Sequence, residues 1–293
     1  MTKYQKIATP TRTAAIMKEF DIKMKKSLGQ NFIIEPNILA KMMAAGQISK
    51  ETTVIEIGPG IGALTEFLAL QAKEVYAFEI DQRFITILET TLKDYDNVKV
   101  IHQDILQVDF NLSIYQPLQQ AQDLVVCANL PYYITTPIIM HLMNSNLPFS
   151  RLVMMMQKEV AERMTAKVGT KAYNSLSIAI ANQMEAEIAF IVPKTVFIPR
   201  PNVDSAVLVL DRKDQPIVPE DARRAFEDFV KSAFAQRRKT LWNNLKASLC
   251  HGEFDQDQLL QVFDRAEIAS SQRAESLSIE DFVILFEAYQ QVS

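Results

Sequence analysis

TTVIEIGPGIGALTEFLALQ (residues 52–71) reads as a strand, a turn and a helix in direct succession. TTVIEI (52–57) is β-branched at every position but Glu56, which suits a pleated, buried surface. Gly58, Gly60 and Gly62 follow, three of the seven glycines in the chain. Glycine there permits positive φ and close backbone approach to a ligand, although glycines alone also suit a tight turn without one. Working outward, similar runs recur at EVYAFEI (74–80), VKVIHQ (98–103), DLVVCANL (123–130), RLVMMM (151–156), IAFIV (188–192) and SAVLVL (205–210). Nearly unbroken apolar runs are the mark of strands covered on both faces. Helical patterns at 63–72, 82–93 and 172–184 fall between them. The alternation predicts an α/β fold built on a mostly parallel, seven-stranded, doubly wound sheet.

The polar segment DRKDQPIVPE (211–220), with two prolines, reads as a linker. Beyond it Phe226, Phe229, Val230, Ala233 and Phe234, then Leu241, Leu245 and Leu249, recur at helical spacing. We therefore expect one domain over 1–210, with an N-terminal extension over 1–24 whose function the sequence does not assign, and a small helical domain over 211–293.

With 48% hydrophobic and 23% charged residues in 293, a packed core is expected and disorder is not. No apolar run approaches the roughly 20 residues that cross a bilayer, and the N-terminus has no signal or transit pattern. Two lone cysteines and three scattered histidines suggest neither a disulfide framework nor a metal site, and fit a reducing cytoplasm. Net charge is −4, but residues 1–26 and 222–246 each carry +5, leaving −14 elsewhere. Such asymmetry suggests two basic patches on an acidic body, or two ordinary solvated faces.

Glu79 ends the second strand, nineteen positions after Gly60, where a carboxylate can accept from both hydroxyls of a ribose. Asp104 ends the third and can reach an adenine edge. The glycine spacing is G-x-G-x-G and not the dinucleotide G-x-G-x-x-G, which points to a nucleoside without a diphosphate. EIGPGIGALT (56–65) with Glu79 and Asp104 resembles the S-adenosylmethionine-binding motifs of class I methyltransferases, and SLGQNF (27–32) resembles the segment that folds over the methionine end in those enzymes.

After the fourth strand stands Asn129-Leu130-Pro131-Tyr132, similar to the [D/N/S]-P-P-Y motif of amino-methylating enzymes. The lone pair of an exocyclic amine is delocalised into its ring. Two acceptors, the Asn129 side-chain oxygen and the Leu130 carbonyl, can bind the two N–H groups and turn that lone pair toward a methyl donor. Tyr132 can stack on the base, and the proline stiffens the loop. A base buried in a helical stack must be flipped out to be reached. Phe197 in VFIPRPNVDS (196–205) is therefore expected as a second stacking ring.

Taken together, N-L-P-Y, F-I-P-R-P-N-V-D-S and FAQRRKTLWNNL (234–245) resemble the KsgA/RsmA family of ribosomal RNA adenine dimethyltransferases from about Lys25 to the C-terminus. The resemblance implies dimethylation of two adjacent adenines near the 3′ end of small-subunit RNA. It implies S-adenosylmethionine contacts at Gln30, Asn31, Ile33, Gly58, Gly60, Glu79, Asp104, Ile105 and Asn129. Ile33 stands where the family commonly has leucine. RNA contacts are expected at Arg200 and at Arg237, Arg238 and Lys239, the last three on a QRRKTL helix. The expected partner is ribosomal RNA within a pre-ribosomal small subunit, with the enzyme a cytoplasmic monomer using no metal. Three alternatives are an Erm-type large-subunit enzyme, a non-catalytic assembly factor and a DNA adenine methyltransferase. The last lacks any visible target-recognition domain.

Overall fold

The computed structural model describes residues 5–22, 31–130, 134–251 and 254–293, which form two compact units. The first comprises residues up to 161 together with 187–212, and the second 162–186 with 213–293.

The first unit is built on a seven-stranded sheet. Its strands are β2 (Thr53–Ile57), β3 (Glu74–Glu79), β4 (Val98–His102), β5 (Leu124–Asn129), β6 (Arg151–Gln157), β7 (Met184–Val192) and β9 (Ser205–Arg212). The order is β4-β3-β2-β5-β6-β9-β7. The β2–β3, β3–β4, β2–β5 and β5–β6 pairs are parallel and β6–β9 is antiparallel. All seven expected runs are strands. The central β2 and β5 are buried almost throughout, as continuous apolar sequence requires. β4 lies at one end of the sheet, and its side chains are only partly covered. β7 lies at the other end and begins at Met184, four residues earlier than its apolar run, because MEAE alternates in burial.

Helices α1 (Pro10–Glu19), α2 (Pro36–Ala45), α3 (Ala63–Gln71) and α4 (Gln82–Thr91) share one apolar cluster with the sheet. Leu39, Met42, Leu68 and Leu88 meet Val54, Val75, Val125 and Val153 there. The N-terminal extension is part of this core. Ile7, Ala8 and Ile16 are buried in it, and Lys6 Nζ lies 4.1 Å above the Phe67 ring. Fully buried Glu66 on α3 accepts from the Ile7 N–H (2.9 Å) and from the Tyr95 hydroxyl (3.3 Å). A small two-stranded sheet, β1 (Phe32–Ile33) with β8 (Phe197–Ile198), pairs Ile33 with Phe197.

The second unit has its own core. After α5 (Gln116–Gln119), α6 (Thr135–Met143) and α7 (Lys158–Met164) in chain order, helices α9 (Glu220–Ala233), α10 (Leu241–Leu249), α11 (Gln256–Ala266) and α12 (Ile279–Val292) supply most of it. Two differences from the sequence reading appear. The unit also takes 162–186, including α8 (Ser175–Gln183), since Tyr173 and Ile178 are buried among Phe226, Leu245 and Phe282. QRRKTL is not a helix: 234–240 form the turn between α9 and α10. Asn244, nearly fully buried on α10, holds this turn by donating to the Ala233 (2.7 Å) and Gln236 (3.2 Å) carbonyls and accepting from the Gln236 N–H (3.2 Å).

Candidate active site

The sheet order reverses between β2 and β5, and in such sheets the crevice beyond the carboxyl ends at the reversal is where ligands sit. Ile57 pairs with Ala128, so the next residues, Gly58 and Asn129, leave adjacent strands side by side. Gly58 and Gly60 have φ of +69° and +58°. The Gly60 Cα faces the Phe32 ring, which a Cβ would approach to 3.3 Å, whereas a Cβ at Gly58 would meet nothing within 4 Å. The Gly58 backbone thus faces open space in the cavity wall.

That cavity is lined by Asn31, Ile33, Gly58, Gly60, Glu79, Asp104, Ile105 and Asn129, eight of the nine residues expected to hold a cofactor. The ninth, Gln30, and Tyr132, expected to stack on the base, lie outside the described residues. Both Glu79 carboxylate oxygens are positioned by backbone amides, Oε2 by Gly60 (3.1 Å) and Oε1 by Asp81 (2.8 Å). Burial raises its pKa, and those two hydrogen bonds oppose the rise. Asp104 caps the short turn 105–107 by accepting from the Leu106 N–H (3.0 Å). Asn129 donates its side-chain amide to the Asn31 carbonyl (3.2 Å). The nitrogen is thereby engaged, and Oδ1 is the acceptor with which the side chain would meet an amine.

Sequence reasoning missed Glu56, Asp81, Ile80 and Phe84, which also line the cavity. Ile80 directly follows Glu79 and is 56% exposed, an apolar surface beside the ribose-type acid. Its place after the strand-end carboxylate was the available signal. Four carboxyl groups, Glu56, Glu79, Asp81 and Asp104, line the cavity with no basic side chain among its described residues. Such a donor set suits a cationic nucleoside such as S-adenosylmethionine and opposes the diphosphate of a dinucleotide. The orphaned buried oxygen of Glu56 adds to this fit.

Phe197 departs from expectation. Its ring is 3% exposed and belongs to the apolar cluster under β1 and β8, and it is not among the cavity residues. Pairing with Ile33 draws it inward, so it packs the core and presents no open face to a base. Arg200, on the following loop, is exposed. Arg237, Arg238 and Lys239 are exposed on the α9–α10 turn and make no ion pair with a described residue, while nearby Asp228 pairs with Lys231 (3.1 Å).

A family model described as ribosomal RNA adenine dimethylase matches residues 21–291. The chain is 52% identical over 283 residues to ribosomal RNA small subunit methyltransferase A of Ligilactobacillus salivarius (strain UCC118), covering 96% of this chain and 95% of that protein. It is also 52% identical over 291 residues to the protein of that description from Enterococcus faecalis (strain ATCC 700802 / V583), covering 99% of each. A dimethyladenosine transferase from Plasmodium falciparum superposes with a TM-score of 0.75 at 27% identity, over 89% of this chain and 98% of that one. The 23S rRNA methyltransferase ErmE shares the fold, with a TM-score of 0.67 at 23% identity over 89% and 100%. With the match running over nearly its whole length, this chain belongs to the ribosomal RNA adenine dimethylase family.

Proposed function

We propose that the protein uses S-adenosylmethionine to place two methyl groups on N6 of each of two adjacent adenines near the 3′ end of small-subunit ribosomal RNA. The observation that carries this is the pairing of Ile57 with Ala128, which sets the acid-lined cofactor cavity against Asn129 on the neighbouring strand. When bound, the cofactor supplies a methyl group already activated on a sulfonium. The chain's contribution is positioning and electrostatics. Glu79 and Asp104 hold the nucleoside. The Asn129 Oδ1 and the Leu130 carbonyl accept from the adenine amine and localise its lone pair, and Tyr132 stacks on the base. Phe197 supports this arrangement from the core. Arg200 and the Arg237–Arg238–Lys239 turn contact RNA phosphates. The setting we propose is a pre-ribosomal small subunit in the cytoplasm, met by a monomer. An Erm-type activity is less favoured, because relatives near 50% identity are named for the small subunit and ErmE is like this chain in fold alone.

The test is to incubate the protein with labelled S-adenosylmethionine and unmethylated small subunits and to map the modified nucleotides. Two adjacent dimethyladenines are expected, and label in large-subunit RNA would reject the assignment. Asn129→Ala should depress kcat and kcat/KM together, since it removes an interaction made at the transition state. A rise in KM alone would make Asn129 a binding residue.

A further inference from the structure

Glu56 belongs to the acidic lining of the cavity but has no assigned role in holding the nucleoside or the adenine. It is the next-to-last residue of TTVIEI, is 1% exposed and lines the cofactor cavity. Its Oε2 is buried and meets no hydrogen-bond partner among the described residues. Its neighbour on β5 is buried Cys127, and the carboxyl that acts on it from β3 is Glu79. Asp81 and Asp104 complete the titratable groups among the described residues of the lining. Arg83, on α4, is committed to Asp81 at 2.5 Å. Thus no cation of the described lining faces Glu56, and an ionised carboxylate there would stand dehydrated, uncompensated and beside other acids. Such a group remains protonated until a positive charge arrives. Its carboxyl pKa is pushed up to about 8, chiefly by burial, with the neighbouring Thr65 hydroxyl opposing the rise and Glu79 adding to it.

We infer that Glu56 is a neutral acid in the free protein and surrenders its proton to solvent when the cationic cofactor binds, so that cofactor uptake and proton release are one event. The inference rests on the reading of S-adenosylmethionine as the cofactor. The balance is simple: the carboxylic acid becomes a carboxylate, the proton goes to buffer, and no covalent bond to the cofactor forms. The cofactor has a sulfonium and an ammonium against one carboxylate, and so a net positive charge to offer. Binding would therefore tighten as pH rises toward 8, because less work is needed to remove the proton. Over pH 5.5–7.5, below the range near 7.7–8.0 where an α-amino group titrates, the dissociation constant should fall on the order of fiftyfold to a hundredfold.

Titration calorimetry of wild-type protein with S-adenosylmethionine at pH 7, in buffers of different ionisation enthalpy, tests this without any variant. About one proton should be released per cofactor bound. Glu56→Gln, neutral and of the same shape, should release almost none and lose most of the affinity gain over pH 5.5–7.5. A heat of binding independent of buffer in wild type, or equal proton release in the glutamine variant, would overturn the inference and leave the cofactor assignment standing. Absence of any S-adenosylmethionine binding across the pH range would overturn both.

Discussion

Replacing Glu66 tests whether the N-terminal segment is an integral part of the first unit. Glu66 is fully buried on α3 and holds the Ile7 N–H and the Tyr95 hydroxyl on separate carboxylate oxygens. The Ile7 carbonyl accepts from buried Thr13 (2.8 Å), so α1 is tied to the same point. Glu66→Ala removes two acceptors and orphans a buried backbone donor. A lost charge-assisted bond is worth about 1.5–3 kcal/mol and an unsatisfied buried donor about 1–3 kcal/mol. The two terms describe the same contact in part, so a net loss of about 3–4 kcal/mol is expected. Glu66→Gln should cost only about 1 kcal/mol, because its oxygen can still accept from Ile7 and the tyrosine hydroxyl can turn to accept from its nitrogen. Urea unfolding followed by circular dichroism would measure both. Tryptophan fluorescence would not serve, since the single tryptophan, Trp242, lies in the second unit. In a chain lacking residues 1–9, Glu66→Ala should lose about 1.5 kcal/mol or more of its effect, a coupling that only contacting groups show. A cost below about 0.5 kcal/mol, or full additivity with the deletion, would refute the contact.

Three further outcomes follow from the site. Phe197→Ala should destabilise the first unit by about 3–5 kcal/mol, and Phe197→Tyr should also be destabilising because a hydroxyl enters apolar surroundings. Wild-type denaturation midpoints for both variants would return the ring to a stacking role. Replacing Arg237, Arg238 and Lys239 together by alanine should lower the salt slope of RNA binding by about 2–3, at roughly 0.7–0.9 per phosphate contact. Stability should change by less than about 0.5 kcal/mol, since all three are exposed and none pairs with a described residue, and an unchanged salt slope would place the RNA elsewhere. Glu79→Gln should weaken S-adenosylmethionine binding about tenfold to a hundredfold, as expected for losing a charged acceptor, and calorimetry showing equal affinity would remove Glu79 from the cofactor site.

The central strands were legible in the sequence because β2, β5 and β6 are covered on both faces and write their burial as continuous apolar runs. The start of β7 was not, since half its side chains are uncovered and MEAE has no apolar run. Gly58, Glu79, Asp104 and Asn129 could be found because parallel topology gathers successive strand ends at one edge. Glu56 stood inside the stretch that decided the fold and was passed over, because position within a strand does not distinguish a residue facing a cavity from one facing the core. Phe197 failed for the opposite reason. Its proline-rich surroundings suggested an exposed loop, while its partner Ile33, 164 positions earlier, is beyond any local pattern. Residues 162–186 gave no change of composition to mark their passage into the second unit.

That passage bears on how the chain can be made and cut. The backbone leaves the first unit after residue 161, returns at 187 to complete its sheet, and leaves again after 212. During synthesis, Tyr173 and Ile178 emerge before Phe226, Leu245, Phe263 and Phe282, the apolar partners that will cover them. The sheet can close through β7 and β9 while α8 still waits with its apolar face in water. A nascent chain arrested near residue 212 would therefore display a sticky surface, a natural target for holding chaperones and for proteases. A fragment ended there should aggregate more readily than the full chain, so the helical unit cannot be treated as a detachable C-terminal module.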